Sequence, residues 1–357
     1  MKGLVIGDQH FKIDNIDQVD VFIQKLKEFL QQEKFDFIVS GGDLLDTHER
    51  LHTLALNKAD QYLKMLSSFA KTFVIVGNHD MINPSQFLTQ NHWLNVYKGW
   101  TDNLVVVDNV VSHKIDDTQL IFVPYVPDGR FKEALDTLKE LDWKKADVIF
   151  AHQTLDGVKM GAIVAENVEA WEEDLPNVVA FHVHDLQKVN KNLYYTGSCM
   201  QHSFGEGSHK YIYEISDKVS EFIIDEDGDD IKMNGKIYLT KIDLQLPRKK
   251  IIHCTTKDLE NMKKITDIVP EKIDRYFEVK IVITGSLTEF KMLKKRTEIK
   301  ALLNKYKSLF KNETPHLKNQ NDDNLEYYSN FHQDFYNTLC EYLKDSSLVS
   351  FYNELCK

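Results

Sequence analysis

At 357 residues, 42% of them apolar, the chain exceeds the usual size of one domain and can fill a large core with one or two appended modules. Its formal charge of −11 at face value disfavours a nucleic-acid partner, since phosphate binding draws on a basic surface, and no apolar run of about 18 residues offers a membrane-spanning helix. Four scattered cysteines (Cys199, Cys254, Cys340, Cys356) without a C-x-x-C pair argue against a zinc ribbon or disulfide framework, so a soluble intracellular protein in a reducing compartment is expected.

In chain order, KGLVIG reads as a buried strand entered at once, with no signal-peptide core before it, and a helix follows near Ile16 to Gln32. FDFIVS, a helix near Leu51 to Ala70, TFVIVG, VVVD, LIFVPY, ADVIFA, VVAFHV and LYYTG continue the alternation. Such a pattern predicts an α/β protein, and so many strands predict two sheets packed into a sandwich between helices. The acidic run DEDGDD, Asp225 to Asp230, has the wrong spacing for a calcium loop and reads as a hairpin turn.

In folds of this kind functional residues collect just past the carboxyl ends of strands. After KGLVIG come Asp8 and His10; after FDFIVSGG, Asp43 and Asp46; after TFVIVG, Asn78, His79 and Asp80; after DVIFA, His152; after VVAF, His182 and His184. Five strand ends thus deliver only Asp, Asn and His beside isolated Gln9. Residues i and i+2 of an extended chain share a face, so His182 and His184 project together. The set points to shared metal ions.

These residues carry a resemblance: the chain resembles the calcineurin-like metallophosphoesterases, whose ordered signature is D-x-H, G-D-x-x-D, G-N-H-D/E, H and G-H-x-H. Here it reads DQH, GDLLD, GNHD and the histidine of FAHQ, with Phe181 where the family has glycine before His182. Within that superfamily, GNHD, the absence of Arg-Gly after GDLLD, and YYTGSCMQHSFGE are similar to the SbcD-like nucleases of the SbcCD and MRN repair complexes. The compact segment KMGAIVAENVEAW is similar to versions from phages and large DNA viruses.

The resemblance implies that Asp8, His10, Asp43 and His184 hold one divalent ion and Asp43, Asn78, His152 and His182 another, with Asp43 shared. Such oxygen and imidazole ligands suit Mn²⁺ best. It implies a two-metal hydrolysis of phosphodiesters, with 3′–5′ exonuclease and single-strand endonuclease activity in double-strand-break repair. It also implies that His79 serves the leaving oxygen and that the Asp46 carboxylate keeps His79 protonated; a helix N-cap is the other reading of Asp46. Asp80 is expected to steady the GNHD turn and Ser198 to approach the site, while Tyr125, Arg130 and Lys159 are surface residues or members of a substrate loop.

Residues 1–235 are expected to form the nuclease domain and 236–311 a small α+β capping domain, from KIYLTKIDL, KIIHCT, DLENMKKI, YFEVKIVIT and a basic helix from Leu287 onward. From Lys291 to Lys311 eight basic residues, Lys294, Lys295 and Arg296 among them, accompany one acid, Glu298. That stripe is either a solvated helix face or a contact for a DNA backbone. Residues 312–324 read as a polar linker. In 325–357, Tyr328, Phe331, Phe335, Leu339 and Tyr342 recur at helical spacing, for docking on a partner or packing on the cap. The resemblance assigns that region to the coiled-coil base of an SbcC-type ATPase, with DNA as substrate and a homodimer as a further expectation. A phosphatase or cyclic-nucleotide phosphodiesterase on the same metals is the alternative enzyme; a DNA-end scaffold would not need the full ligand set.

Overall fold

A computed structural model describes residues 1–48, 50–161, 163–166, 168–218, 231–235 and 237–312. The acidic run at 225–230, the linker beyond Asn312 and the helices expected at 325–357 lie outside the described residues.

The elements in order are β1 (Lys2–Ile6), α1 (Ile16–Gln32), β2 (Phe37–Ser40), α2 (Thr53–Phe69), β3 (Lys71–Ile75), β4 (Leu104–Val107), β5 (Val111–Ile115), β6 (Thr118–Val123), α3 (Phe131–Leu135) and β7 (Val148–His152). There follow the short strands β8 (Lys159–Met160) and β9 (Ile163–Val164), then β10 (Asn177–Phe181), β11 (Gln187–Lys188), β12 (Leu193–Tyr195), β13 (Ile212–Ser216), β14 (Ile231–Lys232) and β15 (Tyr238–Ile242). Among the described residues one sheet runs β14-β15-β13-β1-β2-β3-β4 and a second runs β11-β12-β10-β7-β6-β5. Within them β1 to β4 are mutually parallel, as are β6, β7, β10 and β12. This is the expected α/β sandwich.

Period-two alternation sorts each strand between two cores. Val5, Phe37, Val39, Phe73 and Ile75 of the first sheet meet Leu120, Phe122, Phe150, Val179 and Phe181 of the second. Leu4, Ile6, Ile38 and Val74 point the other way, onto Val19, Phe22, Ile23 and Leu26 of α1 and Ala59, Leu63 and Leu66 of α2. The outer face of the second sheet, Ile121, Ile149, Ala151, Val178 and Ala180, is covered by Phe131, Leu135, Trp143 and Trp171. Burying side chains of the larger kinds contributes roughly 1.5–3 kcal/mol each.

Register levels the strand ends. Ile6 lies opposite Ser40 and Ser40 opposite Val74, so β1, β2 and β3 stop together; Phe181 lies opposite His152 in the second sheet. Phe181, at the family's glycine position, completes β10 as a fully buried residue and the chain turns only at His182, whose φ is 82°. Its ring is accommodated by Gly41, where a Cβ would come within 2.3 Å of Phe181 Cδ1.

One boundary differs from expectation. KIYLTKIDL does not open the second module: Tyr238–Ile242 pairs antiparallel with β13, and Leu239 enters the core between the sheets. The first module therefore runs through Ile242. The second begins with β16 (Arg248–Thr255), followed by α4 (Thr256–Asn261), α5 (Glu271–Tyr276), β17 (Phe277–Gly285), α6 (Leu287–Leu293), α7 (Thr297–Lys305) and β18 (Lys307–Asn312). Its sheet, β16-β17-β18, packs on a core of its own that includes Leu259, Ile281, Ile299 and Leu302. The basic stretch expected as one helix is two helices and a strand, and Asn312, expected in the linker, ends that strand.

Arg296 is not a free basic residue. Its guanidinium donates to the carbonyl oxygens of Glu260 at 2.7 Å, Met262 at 2.8 Å and Leu259 at 3.4 Å, where α4 leaves its last acceptors unsatisfied. Lys294 and Lys295 are exposed. Arg296→Ala should therefore cost about 1–2 kcal/mol of stability in denaturant titration, whereas Lys294→Ala should stay within about 0.5 kcal/mol of the parent.

Candidate metal centre

The level strand ends bring seven of the expected ligands to one place. Asp8, His10, Asp43 and His152 are buried, and Asn78, His182 and His184 are partly so. Ligand-type atoms of Asp8, His10 and His184, of Asp43, His152 and His182, and of His10, Asp43 and His79 lie within 4.8 Å of one another in each group.

Main-chain bonds set the carboxylates first. Asp8 accepts from the amide of His182 at 3.0 Å, which ties the end of β1 to the end of β10 across the sandwich. Asp43 accepts from the amide of His79 at 2.8 Å, and His10 N donates to Asp43 O at 2.9 Å. Asp43 (φ 50°) and His10 (φ 43°) both adopt left-handed backbone, a sparsely populated region that a surrounding network must enforce. At Gly77 a Cβ would lie 2.2 Å from Asp43 Oδ1, so glycine is required there by contact. Asp80 steadies the turn as expected, accepting from Gly77 N at 3.0 Å, Leu44 N at 3.2 Å and Trp93 Nε1 at 2.8 Å. Burial and then the neighbouring Asp43 push its pKa up to about 6.

The remote nitrogens of His152, His10 and His184 each face an acceptor. His152 Nδ1 faces Gly41 O at 2.8 Å, and since a carbonyl only accepts, that nitrogen carries the proton and Nε2 offers a lone pair. Nε2 then stands 3.0 Å from Asn78 Oδ1, 3.2 Å from His182 Nδ1 and 3.3 Å from Asp43 Oδ2. On the other side His10 Nε2 and His184 Nε2 face each other at 3.0 Å, with His10 Nδ1 3.2 Å from Asp46 and His184 Nδ1 3.3 Å from Glu206. Two imidazole nitrogens at such distances can share one proton at most, whereas a cation satisfies both. With two carboxylates and an amide oxygen converging on the same points, the donor set fits divalent metal ions.

The electrostatics agree. Burial pushes His152 down, but Asp43 outweighs it and the pKa rises to about 9. Burial, and then His152, press His182 down to about 3. Asp43 is held far below the usual carboxylate range, since His152 and His10 overcome its burial.

Asp46 differs from expectation. The bridge between Phe11 and Leu45 lays it beside the 10–12 segment, so its carboxylate lies 3.2 Å from His10 Nδ1 and 3.1 Å from Lys12 Nζ. His10 and, against the effect of burial, Lys12 hold it well below the ordinary range. His79 takes only the main-chain oxygen of Asp46, at 2.8 Å from Nδ1, and burial lowers its pKa despite Asp43. No carboxylate partner keeps His79 protonated among the described residues. Nor does Asp46 cap α2, whose N-cap is His52, accepting from Leu54 N at 3.2 Å.

The structure adds residues that the motifs left unassigned. Glu206 orients His184 and also bonds the amide of His202 at 3.0 Å and Lys210 at 3.1 Å, while Lys210 Nζ donates to His184 O at 2.7 Å. His202 Nε2 faces Asp8 O at 3.0 Å, its ring edge-on to His10 and His184. The Phe-Gly-Glu that ends YYTGSCMQHSFGE was the signal for Glu206; nothing local distinguished His202. Ser198 N donates to His184 O at 3.1 Å, and Tyr125 stands 5.8 Å, ring to ring, from His182. Arg130 is engaged by Glu133 and by the Phe87 ring, and Lys159 is exposed in β8.

A two-sheet sandwich with carboxylates, an amide and imidazoles at the ends of its parallel strands is the architecture of a metal-dependent phosphoester hydrolase. Residues 1–222 match the calcineurin-like phosphoesterase family, and the chain belongs to it. It is 40% identical over 304 residues, 84% of this chain and 81% of the relative, to phosphoesterase 078R of Invertebrate iridescent virus 3. Phosphoesterase 244L of Invertebrate iridescent virus 6 is 39% identical over 294 residues, 82% of this chain and 97% of that protein. No helix among the described residues is long and apolar enough to cross a membrane.

Glu206→Gln should weaken divalent-cation binding about 10–100-fold, because the partner that fixes a ligand's ring orientation is lost; titration calorimetry measures it. Cation and proton compete for His152 Nε2, which binds its proton with a pKa of about 9. Affinity should therefore rise as pH climbs toward 9, with proton release visible in calorimetry across buffers of different ionisation enthalpy.

Proposed function

We propose that this phosphoesterase is an SbcD-type nuclease that cleaves DNA phosphodiesters with two divalent ions, best Mn²⁺. The observation that carries the reading is the charge of the second module. Between Arg248 and Asn312 stand 17 basic and 8 acidic side chains, a net of +9 in a chain of −11. That module borders the metal centre: Lys249 N donates to Gln201 Oε1 at 2.7 Å and Lys280 lies over the Phe204 ring, both on the loop that carries Glu206. A basic surface beside the site suits a polyanion longer than one phosphate. Exposed Lys294 and Lys295 are its proposed backbone contacts; Arg296 is excluded by its role at α4.

In this reading Asp8, His10, Asp43 and His184 hold one ion and Asp43, Asn78, His152 and His182 the other. When bound, the ions would polarise the phosphodiester and neutralise charge that develops on its oxygens. The chain's own part is orientation. Asp46 and Glu206 face His10 and His184, Gly41 O fixes the tautomer of His152, and Asp46 O holds the Nδ1 proton of His79, so that in its imidazolium form His79 gives the Nε2 proton to the leaving oxygen. The segment 325–357 is proposed to dock on an SbcC-type ATPase, and a homodimer goes with that assembly.

The test is digestion of end-labelled duplex and circular single-stranded DNA with Mn²⁺, Mg²⁺ or EDTA. Mn²⁺-dependent cleavage that falls at least about 100-fold in Asp43→Asn and His182→Ala is expected. Hydrolysis of small phosphate esters with no cleavage of DNA would favour the phosphatase or cyclic-nucleotide phosphodiesterase alternative.

A further inference from the structure

His48 belongs to none of the ligand groups, yet its ring lies parallel to that of His79, with centroids 4.7 Å apart and planes 18° from each other. Its Nδ1 faces Met81 O at 3.3 Å, as His79 Nδ1 faces Asp46 O at 2.8 Å. Both nitrogens must donate to those carbonyls, so neither ring can flip without losing a bond. The edge of His10 meets His79 as well, with centroids 5.0 Å apart at 81°. One hydrogen bond and one ring edge still leave the His79 plane free to tilt. The stacked face of His48 removes that freedom.

We propose that His48 is a positioning residue for His79, fixing the plane in which His79 presents Nε2 to the leaving oxygen. The proposal rests on the reading of His79 as proton donor. In that step the imidazolium form of His79 is the donor: water oxygen forms the new bond to phosphorus and releases a proton to solvent, the bond to the leaving oxygen breaks with its electron pair on that oxygen, and the Nε2 proton of His79 passes to it. The ring ends neutral, its Nδ1 proton still on Asp46 O. Transfer needs the donor within about 2.6–3.2 Å of the oxygen, a tolerance that a tilted ring exceeds.

The experiment compares two thymidine phosphodiesters, one losing p-nitrophenolate, which departs without a proton, and one losing a second thymidine, which needs it. For His48→Ala, kcat should fall about tenfold on the thymidine-leaving diester and less than about twofold on the nitrophenyl ester, a fraction of what a general acid contributes. His48→Phe, which keeps a stacking ring, should recover most of the loss. In metal-free protein labelled at histidine nitrogens, His79 resonances should broaden in His48→Ala and stay sharp in His48→Phe. Equal losses on both diesters, or unchanged His79 resonances in His48→Ala, overturn the proposal while leaving the donor role of His79 intact. If His79→Ala itself fails to discriminate between the leaving groups, the donor reading falls and the His48 proposal with it.

Discussion

The site depends on one constraint: two carboxylates must be buried side by side at the seam between the sheets. Asp8 and Asp43 are almost wholly enclosed, and an unpaired buried charge is among the costliest features a fold can carry. The chain answers with main-chain amides, His182 N from the other sheet on Asp8 and His79 N from the neighbouring strand end on Asp43, and with imidazoles that bring positive charge or a shared cation. Everything around follows from that compensation. The level register of the strand ends, the left-handed turns at His10 and Asp43, and the missing side chain of Gly77 all serve to bring those donors within reach.

Much of this was legible in the sequence because its code is local. Apolar runs of four to six residues with polar endings give strand ends directly, and the residue types at five such endings name the chemistry. What stayed hidden is what the tertiary fold decides. GDLLD does not reveal that the Phe11–Leu45 bridge turns Asp46 toward His10 and Lys12 rather than His79. Arg296 sits in a run of basic residues, and only the end of α4 opposite it shows that its guanidinium is consumed by carbonyls. The strand at Tyr238–Ile242 was assigned to the wrong module because its partner β13 lies more than twenty residues upstream, a pairing that no local pattern announces.

Net charge taken over a whole chain was the weakest guide. An acidic first module carries the metal ligands, whose ions would offset local negative charge, while the second module concentrates basic side chains. Lys249 shows how the two are coupled. It pairs with Glu278 at 3.4 Å within its own module and reaches Gln18 at 2.8 Å on α1, so one cation serves both modules.

The contact between Phe181 and Gly41 bears on what either position can accept. With phenylalanine at the end of β10, the space above residue 41 is filled, and any side chain there would strike the ring. Glycine at 181 would instead leave a void between the sheets. The residue that departs from the motif is thus matched to a glycine two residues before the shared aspartate, and the two together seal the floor beneath the ligands.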